Sequence, residues 1–389
     1  MAISFPVKIA LPRSKSIVIR CLIIHYLRTG KLLPVFEDDP NDIKIVYKAL
    51  KVIDSASETS VNVIDVEDCG AAYRFLMALL ATTKGKWLLT GTQRLLQRPI
   101  LPLVNFLTAK GAKIEKIETG WQIEGVDLQI DKFDIDTQET SQFVSALMLI
   151  SDLKIQKFKN SKKSYVLTVL RSYGLQNPYV RMTQTLLQTN NLTSFLALAD
   201  WSAAVFWLAN ALLTPNAHYL LENLRFDDLQ GDAVIVKWFE KFGLLFTENE
   251  TGIEVKHIEN VDIPSQIIDV KETPDIALVL AVLSVCYPFE LTLSGLRNIN
   301  LKESNRLDIL VNELSRFTVI DINSEDSITI HKRKAELPNA FHFDSYNDHR
   351  FVMAWSLFKN YGTVEIKNTD CVKKSYPNFL IIVSTSTSS

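Results

Sequence analysis

An α/β fold in two lobes is predicted by three features of the sequence. Six segments share one pattern, in which a few β-prone residues lead through a polar turn into an apolar helix. An amphipathic second helix and strand-like alternation follow several of these segments. The segments recur at intervals of 54 to 74 residues, which is the size of a helix-and-strand module and too long for a solenoid repeat. We therefore expect six units of the order β-α-β-α-β-β.

The six apolar helices define the units. They are expected to begin near Ser14, Asp68, Thr140, Asp200, Thr273 and Asn347. Ser, Thr, Asp and Asn are favourable N-caps, and helices that are apolar on nearly every side are typical of a buried centre. Six units suggest two lobes of three, with a boundary near 196–200 and with helix N-termini facing a shared cleft. Positive dipole ends gathered there would favour anionic ligands.

The connecting elements are expected between the apolar helices. Second helices are predicted over 42–52, 99–110, 178–188, 232–242 and 303–317, and several open on Pro or an acidic residue. Strands are predicted over 112–118, 121–123, 244–248 and 252–255.

Composition indicates an ordinary globular enzyme of 389 residues, 47% hydrophobic and 22% charged. A net charge of −2 gives no global basic field for nucleic acid. Four cysteines lie far apart, and the histidines have no metal-ligand spacing, so we expect neither a disulfide framework nor zinc. The N-terminal residues do not resemble a signal peptide, and apolar runs such as 276–285 are too short to span a bilayer. A cytoplasmic monomer without metal, cofactor, membrane or nucleic-acid partner is expected.

The segment 11–27, LPRSKSIVIRCLIIHYL, is the clearest candidate binding site. Ser14, Lys15, Ser16 and Arg20 place two hydroxyls and two cations around the start of an apolar helix. Cations there oppose the helix dipole, which favours an anion such as a phosphate ester in front of them. A solvated basic turn before a core helix is the alternative interpretation of this segment alone.

Nine motifs occur in a fixed order along residues 11–379. They are LPRSKSIVIR (11–20), GAAYR (70–74), QRPI (97–100), TSQF (140–143), LQGD (229–232), TPD (273–275), LKESNRL (301–307), YNDHR (346–350) and CVKKSYP (371–377). In this order they resemble the motifs of the 5-enolpyruvylshikimate-3-phosphate synthase family, including LPGSKSxSNR, GTAMR and VKETDRL, and YNDHR is identical. The resemblance covers nearly the whole chain.

The resemblance implies a fold of two pseudo-threefold domains, each an inside-out α/β barrel. One lobe would comprise residues 14–199, mainly for shikimate 3-phosphate. The other would comprise 1–13 and 200–389, for phosphoenolpyruvate and acid–base chemistry, with the active site in the cleft between them.

The resemblance also implies the reaction, a step of the shikimate pathway toward chorismate and the aromatic amino acids, in a family that is the target of glyphosate. The 5-hydroxyl of shikimate 3-phosphate attacks phosphoenolpyruvate as its methylene carbon is protonated. The tetrahedral intermediate then loses phosphate and the added proton. Because no metal takes part, Arg, Lys and helix dipoles must neutralise the charge.

Site residues follow by resemblance. Phosphoenolpyruvate would be bound by Lys15, Gly70, Arg98, Gln142, Arg306, Arg350 and Lys374. Shikimate 3-phosphate would be bound by Ser16, Arg20, Thr140, Ser141, Gln142, Gln176, Asn298 and Lys302. Asp275 would take the 5-hydroxyl proton, Glu303 would shuttle a proton at the methylene carbon, and Lys15 could also serve, because a crowded cation site lowers a lysine pKa.

The chain departs from the family pattern at several positions. Arg13, Asp68, Ala71, Gln176 and Asn305 replace the usual glycine, asparagine, threonine, serine and aspartate. None of them removes a principal cation or either acid–base carboxylate.

Two alternatives are weighed against this function. A catalytically weakened homologue would keep the binding residues and lose the chemistry. The UDP-N-acetylglucosamine 1-carboxyvinyltransferase family shares the fold and phosphoenolpyruvate, but it uses a loop cysteine and lacks SKS and YNDHR, so it fits less well.

Overall fold

The computed structural model describes residues 5–128, 135, 139–157, 177–227, 229–258 and 261–386, apart from the side chains of 152–157 and 386. The chain divides into two compact units. One consists of Met1–Ser14 and Ala197–Ser389, and is called the two-segment unit below. The other is Lys15–Leu196, called the central unit.

The elements alternate between helices and strands. The strands are β1 (Val7–Ala10), β2 (Val61–Asp65), β3 (Gly85–Thr90), β4 (Lys113–Ile117), β5 (Gly120–Gly125), β6 (His218–Glu222), β7 (Leu244–Asn249), β8 (Gly252–His257), β9 (Gln266–Asp269), β10 (Leu291–Ser294), β11 (Ile320–Ser324), β12 (Ser327–Ile330), β13 (Ala340–Asp344) and β14 (Thr363–Lys367). The α-helices are α1 (Lys15–Thr29), α2 (Asn41–Asp54), α3 (Gly70–Thr82), α4 (Gln93–Leu96), α5 (Leu101–Ala109), α6 (Gln142–Lys157), α7 (Pro178–Gln188), α8 (Trp201–Leu213), α9 (Val236–Lys241), α10 (Ala277–Cys286), α11 (Arg306–Leu314), α12 (His349–Trp355) and α13 (Phe379–Ser386).

Three four-stranded sheets repeat one topology. Their strand orders are β2-β3-β5-β4 in the central unit, and β1-β6-β8-β7 and β9-β10-β12-β11 in the two-segment unit. In each sheet the first two strands pair in parallel, and an antiparallel hairpin extends the second. β13 and β14 form a parallel pair in a two-stranded sheet. Among the described residues, three of the six predicted units thus have all four of their predicted strands, and the unit that contains β13 and β14 has two.

The six predicted apolar helices are present as α1, α3, α6, α8, α10 and α12. Each begins within four residues of its predicted start. Every residue of α10 is buried, as expected for a helix that is apolar on all sides. Asp200 caps α8 by accepting a hydrogen bond from the backbone N–H of Ala203 at 3.0 Å, and Asp348 caps α12 through the N–H of Arg350 at 3.0 Å.

Two predicted second helices are shorter than expected. The segment 232–242 begins as a 3-10 turn (Gly231–Ile235) and becomes α-helical only in α9. The β-branched run 234–236 lies at this transition, and β-branched residues are unfavourable for an α-helix. The segment 303–317 becomes α11 only at Arg306, because Lys302 has an extended backbone (φ −84°, ψ −154°) and Glu303 lies outside the helix.

The helices of the described residues include none that combines the length and the apolar character of a membrane span.

We expect a large-to-small substitution in α10 to destabilise the two-segment unit. Leu280 is fully buried, so Leu280→Ala should lower the free energy of unfolding by about 2–5 kcal/mol through lost burial and a residual cavity. Leu245→Ala, at a side chain that is 48% exposed, should cost less than about 1 kcal/mol. Urea unfolding followed by circular dichroism measures both, and equal losses would contradict the central position of α10.

Candidate active site

In the central unit, Lys15 stands at the first residue of α1 and forms an ion pair with Asp42 of α2, with 2.9 Å between Nζ and Oδ2. Asp42 is 2% exposed, whereas Lys15 is 18% exposed. A buried carboxylate therefore holds the lysine at a helix N-terminus, where the helix dipole alone would disfavour a cation.

Arg20, one turn further along α1, is a buried cation held by neutral groups. Its Nε donates to Thr183 Oγ1 at 2.7 Å, its Nη1 to the Ser16 carbonyl at 2.8 Å and its Nη2 to Ser145 Oγ at 3.3 Å. The guanidinium carbon lies 4.9 Å from the ring centroid of Phe75. All its hydrogen-bond partners among the described residues are neutral, and a buried charge without a counter-charge favours an anionic ligand. Burial lowers the pKa of Arg20 to about 10, which leaves it charged at neutral pH.

Gly70 begins α3 in close contact with Arg98. A Cβ placed on Gly70 would lie 2.8 Å from Nη1 of Arg98 and 2.9 Å from its guanidinium carbon. The missing side chain of Gly70 therefore makes room for the guanidinium.

Arg74 joins the segments that carry Gly70, Pro99 and Gln142. It donates to the Gly70 carbonyl at 3.1 Å, to the Pro99 carbonyl at 2.9 Å and 3.2 Å, and to Gln142 Oε1 at 2.8 Å. Because the amide oxygen accepts from Arg74, the NH₂ group of Gln142 is directed away from it. Sequence reasoning included Arg74 in a motif but assigned it no role.

Thr140 and Ser141, two further predicted residues of this unit, immediately precede α6. Thr140 Oγ1 accepts a hydrogen bond from the backbone N–H of Gln142 at 3.2 Å, and the Ser141 carbonyl accepts one from the N–H of Ser145 at 3.3 Å. Gln176 lies outside the described residues.

In the two-segment unit, the buried guanidinium of Arg306 gathers three carboxylates. Its Nε and Nη2 donate to Asp348 at 2.7 Å and 3.1 Å, its Nη1 to Asp275 Oδ1 at 2.8 Å and its Nη2 to Glu303 Oε2 at 3.0 Å. Ser304 Oγ also donates to Asp348, at 3.0 Å. Burial alone would lower the pKa of Arg306, but the three carboxylates raise it above its ordinary value.

Asp275 lies in the 3-10 turn Pro274–Ile276 that precedes α10, and three cations surround it. Besides Arg306, Lys302 Nζ lies 3.7 Å from Oδ1 and Arg350 Nη2 lies 3.4 Å from Oδ2. Burial acts to raise the pKa of Asp275, but Lys302, Arg350 and Arg306 together hold it well below its usual range. The side chain keeps 21% of its surface exposed, so a ligand can reach it.

Glu303 and Lys374 complete this cluster. Lys374 Nζ lies 3.3 Å from Glu303 Oε1, and the lysine is 5% and the glutamate 10% exposed. Arg350 also donates to the Ser202 carbonyl at 3.0 Å. Asn298 precedes the 3-10 turn Ile299–Leu301, and its carbonyl accepts the N–H of Leu301 at 3.2 Å.

Asp232 is a buried carboxyl beside this cluster that sequence reasoning did not select. Its Oδ2 accepts a hydrogen bond from Ser202 Oγ, and its Oδ1 has no hydrogen-bond partner among the described residues. Burial, with the nearby charge of Asp275, raises the pKa of Asp232 to about 7. The Asp232 carboxyl therefore changes charge near neutral pH.

The structure thus brings together several of the residues predicted from the sequence, each set within its own unit. Direct contacts join Asp275, Lys302, Glu303, Arg306, Arg350 and Lys374 in the two-segment unit. Sequence reasoning missed their partner Asp348, although YNDHR contained it, and the partners Asp42, Ser145 and Thr183 of the central unit. Among the described residues, no group of three or more His, Cys, Asp or Glu side chains could hold a metal ion.

The raised pKa of Asp232 predicts a pH-dependent stability. Its folded-state pKa of about 7 lies above the ordinary value of 3.8. The stability that the protonated carboxyl gives the folded protein is therefore fully present below about pH 4 and is lost as the pH rises to about 7. Asp232→Asn removes this titration. The stability of the variant relative to wild type should therefore increase between pH 4 and pH 7 by up to about 4 kcal/mol, at about 1.4 kcal/mol per pH unit. Urea unfolding at pH 4.5, 6 and 8 measures the difference, and a constant value across that range would contradict the prediction.

Comparisons with known proteins agree on one family. Residues 23–382 match the family model described as EPSP synthase (3-phosphoshikimate 1-carboxyvinyltransferase). The chain is 32% identical to the 3-phosphoshikimate 1-carboxyvinyltransferase of Bacteroides fragilis over 95% of this chain and 93% of that protein. It is 27% identical to the enzyme of the same name from Tolumonas auensis, over 95% and 94%. The solved structure of EPSP synthase from Acinetobacter baumannii has the same fold, with a TM-score of 0.66 and 18% identity over 98% of this chain and 96% of that one. The chain belongs to the EPSP synthase family, the 3-phosphoshikimate 1-carboxyvinyltransferases.

Proposed function

We propose that the residues around Arg306, Gly70 and Arg20 bind the two anionic substrates of this family, phosphoenolpyruvate and shikimate 3-phosphate. The activity is that of a 3-phosphoshikimate 1-carboxyvinyltransferase. It transfers the carboxyvinyl group of phosphoenolpyruvate to the 5-hydroxyl of shikimate 3-phosphate and releases phosphate, in the shikimate pathway to the aromatic amino acids.

One observation carries the assignment of roles: the two proposed acid–base carboxylates, Asp275 and Glu303, are both hydrogen-bonded to Arg306. Phosphoenolpyruvate offers a carboxylate and a phosphate, which are the groups that guanidinium forks bind best. Substrate oxygens at Arg306, Arg350 and Lys374 would take over hydrogen bonds that Asp275 and Glu303 accept in the free enzyme.

This exchange links binding to proton transfer. The cations around Asp275 hold its pKa low, and a carboxylate stabilised in this way is a weak base. When the phosphoenolpyruvate anion occupies those cations, the pKa of Asp275 rises and the carboxylate becomes able to accept the 5-hydroxyl proton. Glu303, between Arg306 and Lys374, delivers a proton to the methylene carbon in the addition step and takes it back when phosphate leaves. Lys15 is the second candidate for this proton transfer.

We assign the proposed binding residues to the two substrates as follows. Phosphoenolpyruvate contacts Lys15, Gly70, Arg98, Gln142, Arg306, Arg350 and Lys374. Shikimate 3-phosphate contacts Ser16, Arg20, Thr140, Ser141, Gln142, Gln176, Asn298 and Lys302. Four cysteines spread widely along the sequence fit the reducing cytoplasm as the place of action, and a monomer is the proposed working state.

Asp275→Asn should abolish most of the activity without preventing binding of shikimate 3-phosphate. Loss of a general base lowers kcat by about 10²–10⁴-fold. Phosphate release from phosphoenolpyruvate, measured with and without shikimate 3-phosphate, should need both substrates in the wild type. Asp262→Asn is the matched control, because Asp262 is 91% exposed and forms an ion pair with Lys332 at 3.3 Å; it should keep wild-type kcat.

The alternative of a weakened homologue is decided in the same assay. A folded wild-type protein that binds shikimate 3-phosphate but releases no phosphate would overturn the transferase assignment. Release that persists in Asp275→Asn would contradict the role of Asp275 alone.

Gly70→Ala should weaken phosphoenolpyruvate binding. The new methyl group would lie 2.8 Å from Arg98 Nη1, closer than van der Waals contact allows, so the guanidinium must move. We expect the KM for phosphoenolpyruvate to rise at least about tenfold, the equivalent of about 1.4 kcal/mol, with a smaller change in the KM for shikimate 3-phosphate. Steady-state kinetics with each substrate varied separately measures both. An unchanged KM for phosphoenolpyruvate would contradict the proposed contact between phosphoenolpyruvate and Arg98.

A further inference from the structure

The turn between β13 and α12 contains two neighbouring residues with left-handed backbone conformation. Tyr346 has φ +53° and Asn347 has φ +56°. Asparagine adopts this conformation fairly readily, but a bulky residue such as tyrosine does so only when its surroundings hold it there. The turn leads directly into Asp348, the residue that receives two hydrogen bonds from Arg306.

Backbone hydrogen bonds account for part of the restraint. The N–H of Tyr346 donates to Asp344 Oδ1 at 2.7 Å, and the N–H of Asn347 donates to Ser345 Oγ at 3.2 Å. The N–H of Asp348 donates to the Ser345 carbonyl at 2.9 Å. These bonds close the turn locally, but they do not connect it to the helix that carries Arg306.

The Tyr346 side chain makes that connection. Its hydroxyl donates to Glu313 Oε1 at 2.8 Å, and Glu313 is in the last turn of α11. Burial and the nearby Glu313 carboxylate raise the pKa of Tyr346 to about 12, so the hydroxyl keeps its proton and remains a donor. Its ring also contacts Phe351 of α12 edge to face, with 6.3 Å between centroids.

Glu313 is itself fixed in place. It is 8% exposed, and its Oε2 accepts a hydrogen bond from Arg316 Nη1 at 2.7 Å. The same Arg316 nitrogen donates to the His342 carbonyl in β13 at 3.2 Å, and the guanidinium stacks over Phe317 and Phe343 at 5.3 Å and 5.4 Å. The acceptor for Tyr346 is therefore anchored to the strand that leads into the turn.

Helix α11 is thus attached to the same turn at both of its ends. Arg306 at its start binds Asp348, and Glu313 near its end binds Tyr346. The two helix positions are about 10 Å apart along the axis, at 1.5 Å per residue. Two attachments at that separation fix the direction of the helix relative to the turn, which one attachment cannot do.

We propose that Tyr346 and Glu313 are positioning residues for phosphoenolpyruvate: by holding the left-handed turn against α11, they keep Asp348 aligned with Arg306 and leave the other guanidinium N–H groups directed at Asp275 and Glu303. This inference rests on the proposed function, because it takes Arg306 as a phosphoenolpyruvate ligand. In this proposal, Tyr346 and Glu313 act through Asp348 and Arg306 and not through contact with the substrate.

Tyr346→Phe tests the hydroxyl with little change in shape. We expect the KM for phosphoenolpyruvate to rise about fivefold, the usual worth of one hydrogen bond, with kcat and the KM for shikimate 3-phosphate changed less than twofold. Tyr361→Phe is the matched control, because its hydroxyl likewise donates a hydrogen bond within this unit, to the Cys286 carbonyl at 2.8 Å, away from the turn. It should leave both KM values unchanged.

A double-mutant cycle separates positioning from general stabilisation. Glu313→Ala should reproduce the effect of Tyr346→Phe, and adding Tyr346→Phe to Glu313→Ala should give no further rise in KM. Glu313→Gln keeps an acceptor oxygen and should restore most of the affinity. A purely structural role would instead lower the melting temperature and leave both KM values of the folded enzyme as they were, which would overturn the inference.

Arg306→Lys makes the two possible failures distinguishable. It keeps the charge but loses the fork, and we expect the KM for phosphoenolpyruvate to rise more than tenfold. If this KM does not change in a folded variant, the proposed function of Arg306 fails. If it rises while Tyr346→Phe and Glu313→Ala stay within twofold of wild type, only the positioning role fails.

Discussion

The hydrogen bonds of the Arg306 guanidinium are the interactions on which the proposed active-site cluster of the two-segment unit depends. The guanidinium binds Asp275 before α10, Glu303 before α11 and Asp348 at the start of α12, so one side chain connects the beginnings of three helices. A cation that is 1% exposed would be costly to bury alone, and three carboxylates compensate it. Removing it would leave the fully buried carboxylate of Asp348 without the guanidinium that compensates it, which costs far more than losing an ordinary surface ion pair.

The same interactions determine how the carboxylates behave. Asp275 experiences two opposed influences, since burial favours its neutral form and the neighbouring cations favour its charged form. The cations prevail because three of them lie within 4 Å of its oxygens. No cation of the described residues forms an ion pair with the nearby Asp232, and there burial prevails and raises the pKa to about 7. The pKa values of these two aspartates therefore differ because Lys302, Arg350 and Arg306 lie within 4 Å of the Asp275 oxygens, whereas burial dominates at Asp232.

The sequence predicted the helix positions and most of the charged residues, but it predicted few of their contacts. The start of α8 follows from a local signal, namely the capping residue Asp200 followed by an apolar run, whereas α3 is capped by Cys69 and not by Asp68. Arg20 was selected as an anion ligand, but its partners Ser145 and Thr183 lie 125 and 163 residues away, and no local pattern encodes such pairings. The hydrogen bond from the left-handed Tyr346 was equally invisible, because its acceptor Glu313 lies 33 residues before it. A raised pKa such as that of Asp232 depends on burial, which motif spacing does not report.

Arg20 and Arg306 show why two buried arginines in one protein need not bind anions in the same way. Burial lowers the pKa of Arg20, whose hydrogen-bond partners among the described residues are neutral, whereas carboxylates raise that of Arg306. An anion that reaches Arg20 gains the full attraction of an uncompensated charge. An anion that reaches Arg306 gains only the difference between its own attraction and that of the carboxylates it replaces. That difference is small in free energy, but in the proposed reaction the exchange releases Asp275 and Glu303 from the guanidinium when Asp275 must accept a proton and Glu303 must deliver one. The compensated arginine is therefore suited to the anion whose binding must release the two carboxylates, and the uncompensated one to anchoring a phosphate group that does not itself react.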